Sequence, residues 1–109
     1  MIIGDILIKL QSEQHFEELK RQFTVFMFSA DWCPDCRFIE PFLDDLEKKY
    51  SLMQFVYVDR DEFIDLCREH NIYGIPSFLV YKDNELKGSF ISKFRKTKEE
   101  IMKFLDSVM

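Results

Sequence analysis

The sequence predicts an α/β fold: one central mixed β-sheet with helices packed on it. Three observations carry that expectation. Two dense apolar runs, "FTVFMFSA" (23–30) and "MQFVYVD" (53–59), are too short for comfortable helices and read as strands buried on both faces. Segments with helical periodicity precede, separate and follow them. Two adjacent strand-like stretches and a capped helix close the chain, giving the order β-α-β-α-β-α-β-β-α. At 109 residues the chain suits a single domain over 1–109.

The elements are justified in order. "DILIKL" (5–10) alternates and is expected as a first strand. Ser12 can cap a helix through "EQHFEELKRQF", where Phe16, Leu19 and Phe23 share a buried face and His15 is expected in solvent. After the strand at 23–30, Pro34 to about Tyr50 is helical, with Phe38, Ile39, Phe42, Leu43 and Leu46 at helical spacing. A helix through "DEFIDLCREH" (61–70) follows the second buried strand. "SFLVYKD" (77–83) and "LKGSFIS" (86–92) form two strands joined at "KDNE". Thr97 and Glu100 make a capping box for a last helix through Ile101, Phe104, Leu105 and Val108.

Composition narrows the function classes. With 47% hydrophobic and 32% charged residues the chain is globular in character, and its net charge of -5 argues against nucleic-acid binding. No apolar run approaches the roughly 18–20 residues that span a bilayer. "MIIGDILIKL" lacks a basic leader and is interrupted by Asp5, so it does not read as a signal peptide. A cytoplasmic location is therefore expected. In a reducing compartment a C-x-x-C pair is catalytic or metal-binding more often than a permanent cross-link.

That pair stands in "SADWCPDCRFIEPF" (29–42), where a buried strand gives way to a helix. With Cys33 as the cap residue, Pro34 takes the first helical position, where its missing N–H costs nothing. The N–H groups of Asp35 and Cys36 can then point back at the Cys33 sulfur. Those donors and the helix dipole favour a thiolate, which is the nucleophile, while the like charge of Asp35 opposes part of that activation. Cys36 lies one turn on, within bridging reach. Cys33 is expected to attack a substrate disulfide, and Cys36 then resolves the mixed disulfide.

A metal reading uses "CREH": Cys33, Cys36, Cys67 and His70 formally make a zinc set. Against it, the intervening helix and strand can build a core without metal. Cys67 also shares a helix face with Phe63 and Leu66, the place of a buried, inert cysteine. No metal is expected. The run "SKFRK" is read as a solvated face.

Taken together, the aromatic-rich strand, "ADWCPDC" with Trp32 before the first cysteine, Pro41 five residues after the second, and "YGIPS" (73–77) resemble the thioredoxin family over nearly the whole chain. The resemblance implies a thioredoxin fold, a cis Ile75–Pro76 peptide facing the disulfide, and a docking rim of Trp32, Tyr73, Gly74 and Ile75. It also implies pairing of an extended substrate with the Ile75 backbone. The activity it implies is thiol–disulfide reduction without a bound cofactor, recharged indirectly by NADPH through a thioredoxin reductase or equivalent. The implied partners are disulfide-containing client proteins or small disulfides, with the protein acting as a monomer.

Three features depart from the family pattern. "WCPDC" replaces the usual Gly-Pro pair and resembles the thioredoxin-related protein branch, which favours small disulfides such as cystine. The family's buried aspartate falls at Met27 and its lysine partner near Tyr57, so the proton of Cys36 must leave through water or Asp35. The glycine before the last helix is replaced within "SKFRKTK", making the rim bulkier and more basic. Two alternatives compete: a thioredoxin-fold binding or accessory subunit with slow turnover, favoured by Met27, and glutathione-linked chemistry, disfavoured by Asp31 and Asp35.

Overall fold

The computed structural model describes residues 8–109. Nine elements follow one another: β1 (Ile8–Lys9), α1 (Glu13–Leu19), β2 (Thr24–Ser29), α2 (Pro34–Lys49), β3 (Gln54–Asp59), α3 (Ile64–Glu69), β4 (Ser77–Lys82), β5 (Glu85–Phe90) and α4 (Lys98–Ser107). They form one five-stranded sheet in the order β1-β3-β2-β4-β5. β1, β3 and β2 run parallel, whereas β4 and β5 are antiparallel to their neighbours. The expected order of elements and the mixed sheet are both present.

β2 is buried at every position because both faces of the sheet are covered. Phe26 and Phe28 point into one core with Phe16, Leu19, Val56, Val58, Leu66 and Cys67, under α1 and α3. Val25 and Met27 point into the other, with Ile39, Leu43, Leu46, Ile101 and Leu105 of α2 and α4. Helices therefore cover each side of the sheet, as a layered α/β arrangement requires.

Several boundaries differ from the sequence expectation, each for a local reason. Residues 5–7 of the first strand lie outside the described residues. α1 stops at Leu19 rather than Phe23, because its last carbonyls find partners elsewhere. Thr24 Oγ1 donates to Leu19 O at 2.8 Å, and Asn84 N donates to Lys20 O at 2.8 Å. Phe23 joins the opposite core. α3 is shorter than 61–70: Asp59 Oδ1 accepts from Asp61 N at 2.9 Å and Glu62 N at 3.3 Å, an Asx-type turn that delays the helix. β5 ends at Phe90. Its hairpin turns on Asp83 and Asn84, whose φ values of 53° and 67° suit a tight primed turn. His15 is half-buried instead of solvated, its Nδ1 accepting from Gln11 N at 3.0 Å.

The capping box of α4 is complete. Glu100 N donates to Thr97 Oγ1 at 3.1 Å, and Thr97 N donates to Glu100 Oε1 at 2.8 Å.

Candidate active site

The carboxyl end of β2 leads through Ala30–Trp32 into α2, which runs for 16 residues with Pro34 in its first turn. Cys33 is its N-cap, and the Cys36 N–H donates to Cys33 Sγ at 3.2 Å. The first turn is held from behind: Cys33 N donates to Ala30 O at 3.2 Å, and Arg37 Nε donates to Asp31 O at 2.7 Å. A sulfur so placed faces a backbone donor and the positive end of the helix, which together accommodate negative charge.

Both cysteines are free thiols, Cys33 4% and Cys36 1% exposed. Burial pushes the Cys36 thiol up to about 12. A hydrogen bond with Cys33 adds to that, while the Ser29 hydroxyl and the Ala30 backbone pull it down. The two thiols therefore differ in kind: one faces an activating N–H, the other holds its proton in the protein interior.

Residues 73–76 close the site from the other side. The Ile75–Pro76 peptide is cis, as the resemblance implied. Ile75 meets the cysteines: its side chain packs on Ala30, Cys33 and Cys36, and Cys33 Sγ donates to its carbonyl at 3.8 Å. Pro76 is buried. Gly74 is required by close approach: a Cβ there would overlap the Ser92 carbonyl and come within 2.8 Å of Lys93 Cα.

Trp32 and Tyr73 are 59% and 63% exposed. Tyr73 is fixed by its hydroxyl on Ile91 O at 3.2 Å. Between them lies a recess of about 300 Å³, whose wall also carries Arg60 and Lys93. Phe94, before α4, is 80% exposed.

Sequence reasoning missed three partners. Trp32 Nε1 donates to Asp61 Oδ2 at 2.6 Å; this bond, with Arg60 beside it, holds the Asp61 carboxyl below its ordinary range. Arg95 Nε donates to Asp35 Oδ1 at 2.8 Å, and its guanidinium lies over Phe38 at 4.5 Å. Lys96 is 1% exposed, its Nζ donating to Ser92 Oγ at 3.1 Å, Ser92 O at 3.4 Å and Phe94 O at 3.5 Å. The reading of "SKFRK" as a solvated face holds for Lys93, Phe94 and Arg95, which are exposed, and is corrected at Lys96. Lys96 precedes the N-cap of α4, the position whose side chain turns inward over the first helical turn. The capping box was the available signal for its burial.

The dithiol and the alternative metal set do not coincide. Cys67 is buried among Phe63, Leu66 and Phe16, and burial raises its thiol. His70 Nδ1 sits 3.0 Å from Leu66 O with its ring edge-on to Phe16. Among the described residues no three His, Cys, Asp or Glu side chains converge on a common point. Met27 lies in the α2–α4 core, opposite Tyr57 in the β2–β3 register. Tyr57 is pushed up to about 12, chiefly by burial and by Asp31.

The chain is similar to known proteins in sequence and fold. The thioredoxin family description matches residues 6–107. Thioredoxin H3 of Arabidopsis thaliana is 33% identical over 108 residues, covering 94% of this chain and 89% of that protein. Thioredoxin of Bos taurus is 33% identical over 86 residues, covering 75% and 82%. The solved mitochondrial thioredoxin 3 of Saccharomyces cerevisiae, in its oxidised form, superposes with a TM-score of 0.78 at 29% identity, covering 92% and 94%. Thioredoxin from Trypanosoma brucei brucei superposes with a TM-score of 0.83 at 19% identity, covering 94% and 89%, a likeness of fold. Family, fold and dithiol agree: the chain belongs to the thioredoxin family, and it is a thiol–disulfide oxidoreductase of the disulfide-reductase kind.

Proposed function

We propose that Cys33 is the attacking thiolate and Cys36 the resolving thiol of a reductase that relays electrons, in the cytoplasm, from NADPH to disulfide substrates through a thioredoxin reductase or equivalent. The observation that carries this assignment is the Cys36 N–H donated to Cys33 Sγ at 3.2 Å on the cap of a long helix. Cys33 thiolate attacks one sulfur of the substrate disulfide, forming a mixed disulfide and releasing the first substrate thiol. Cys36 then attacks the Cys33 sulfur, the Cys33–Cys36 bond forms, and the second thiol departs. Pro34 starts the helix and leaves the N–H groups after it available. Pro76 shapes the turn that presents Ile75.

Clients dock as extended segments beside Ile75, over the apolar rim of Trp32, Tyr73 and Gly74, with the protein acting as a monomer. Small disulfides that carry carboxylates, such as cystine, suit the recess that Arg60 and Lys93 line. Asp35 no longer opposes them as a free charge, because Arg95 is paired with it.

The test couples NADPH and a thioredoxin reductase to reduction of a protein disulfide and, separately, cystine. Turnover in either, together with client capture as mixed disulfides by Cys36→Ser, is expected. A Cys33 that alkylates with the pH dependence of a free thiol, no turnover with that reductase or with glutathione, and no trapped client would together overturn the reading.

A further inference from the structure

The recess of about 300 Å³ beside the dithiol is walled by neighbours of the reacting sulfur from two segments. Trp32 directly precedes Cys33. Residues 72–75 end at the carbonyl that accepts from Cys33 Sγ at 3.8 Å. Two cations, Arg60 and Lys93, complete the wall.

Both cations stand on backbone tied to the site. Arg60 N donates to Ser29 O at 2.8 Å, at the end of β2. Lys93 Cα lies so close to Gly74 that a Cβ there would come within 2.8 Å of it. Tyr73 is held to the same segment by its hydroxyl on Ile91 O at 3.2 Å.

No carboxylate among the described residues lines the recess to answer these charges. The nearest acids in the chain are engaged elsewhere. Asp59 Oδ1 accepts from Asp61 N and Glu62 N, and Asp61 accepts from Trp32 Nε1 and, at 3.1 Å, from Arg60. That last bond uses one of the five N–H groups of a guanidinium. Lys93 is exposed, and among the described residues no ion pair includes it.

We propose that Arg60 and Lys93 make this recess a carboxylate-reading subsite, which takes the side chain of a glutamate or aspartate flanking the reactive cysteine of a client protein. The inference rests on the reading that clients dock as extended segments beside Ile75. It deepens that reading by naming the side-chain class that selects among them. A segment whose sulfur reaches Cys33 carries its neighbouring residues past Trp32 and Tyr73, over the mouth of the recess. The space suits one side chain, not a folded element. A guanidinium binds a carboxylate through paired N–H donors, and an ammonium adds a second point charge. The rings of Trp32 and Tyr73 at the mouth keep water from part of the pair, which strengthens it. The chain as a whole carries -5, so its net charge repels an acidic client and the attraction is local.

The experiment follows single-turnover reduction of disulfide-linked peptides by the reduced native protein. The peptides carry Glu, Gln or Lys at each position within two residues of the cysteine. At the favoured position Glu should be reduced about fivefold faster than Gln, and Lys more slowly than either. Lys93→Gln, which leaves the Trp32–Asp61 bond in place, should lower the Glu-to-Gln ratio to about two; adding Arg60→Gln should bring it to about one. Lys93→Glu should shift the preference toward the Lys peptide. Equal rates for Glu and Gln at every position in the native protein overturn the proposal, as does a ratio unchanged in the double variant. If the double variant does not fold, Lys93→Glu decides, and a preference that does not move toward Lys overturns the proposal. Failure to reduce any peptide overturns the reductase reading and the proposal with it; reduction without preference overturns the proposal alone.

Discussion

Glu47, on the last turns of α2, is the carboxylate whose environment makes the most quantitative demand. It is half-buried, and its Oε1 is enclosed with no hydrogen-bond partner among the described residues. Burial and the neighbouring Asp44 charge push its carboxyl from an ordinary 4.5 up to about 7. The folded state therefore holds the proton more tightly than the unfolded state. Stability linked to this group is fully present below pH 4.5 and is lost as pH rises through about 7. At roughly 1.36 kcal/mol per pKa unit the full effect would be about 3 kcal/mol; screening by solvent at a half-exposed site reduces it to about 1 kcal/mol. Glu47→Gln removes the titration. Urea unfolding of both proteins at about pH 4.5 and about pH 8 is the assay, because pH-independent costs of the substitution cancel in the difference. The variant should gain about 1 kcal/mol on the wild type between the two conditions, or about 4–8 °C in Tm for a domain of this size. A difference that does not change with pH, or one that favours the wild type at high pH, refutes the reasoning.

Two further perturbations address the site. Gly74→Ala places a Cβ against the Ser92 carbonyl and Lys93 Cα, backbone that cannot swing aside. It should cost about 1–3 kcal/mol in thermal unfolding and slow disulfide reduction by displacing Ile75; a silent substitution would mean that the two segments separate freely. Trp32 is the only tryptophan, so its fluorescence reports the Asp61 bond. The acid transition should fall below pH 3.8 in the folded protein and vanish in Asp61→Asn, checked against circular dichroism to separate it from unfolding. Persistence in that variant would assign the transition elsewhere.

The parts of the fold legible in the sequence are those set by local pattern. β2 and β3 declare themselves as apolar runs because both sheet faces are covered, and α4 declares its start through Thr97 and Glu100. Cys33, Cys36, Trp32 and Pro76 were legible because their signal lies in short motifs. What was illegible depends on partners distant in the chain. The end of α1 is decided by Asn84, on a hairpin turn that no helix pattern in residues 12–23 reveals. Trp32 is oriented by Asp61, and Asp35 is paired with Arg95, contacts 29 and 60 residues apart. The charge run at 92–96 looked solvated because charge runs usually are. One of its cations, Arg95, is instead paired with Asp35 at the surface, and another, Lys96, is buried.

The Pro-Asp pair between the cysteines and the basic segment before α4 make physical sense only together. An acid in the second position of α2 brings a negative charge toward the dithiol, which by itself disfavours a thiolate. Arg95 answers that charge at 2.8 Å and, by stacking on Phe38, spans the first full turn of the helix. The same bond ties the side chain of residue 95 to α2, and the capping box fixes residue 97. Lys96 stands between these two anchors and is left one direction for its side chain, inward. A Gly-Pro pair would offer Arg95 no carboxylate, and the lysine would lose one of its two anchors. Asp35, tied in this way, is an anchor for the segment that carries the buried lysine.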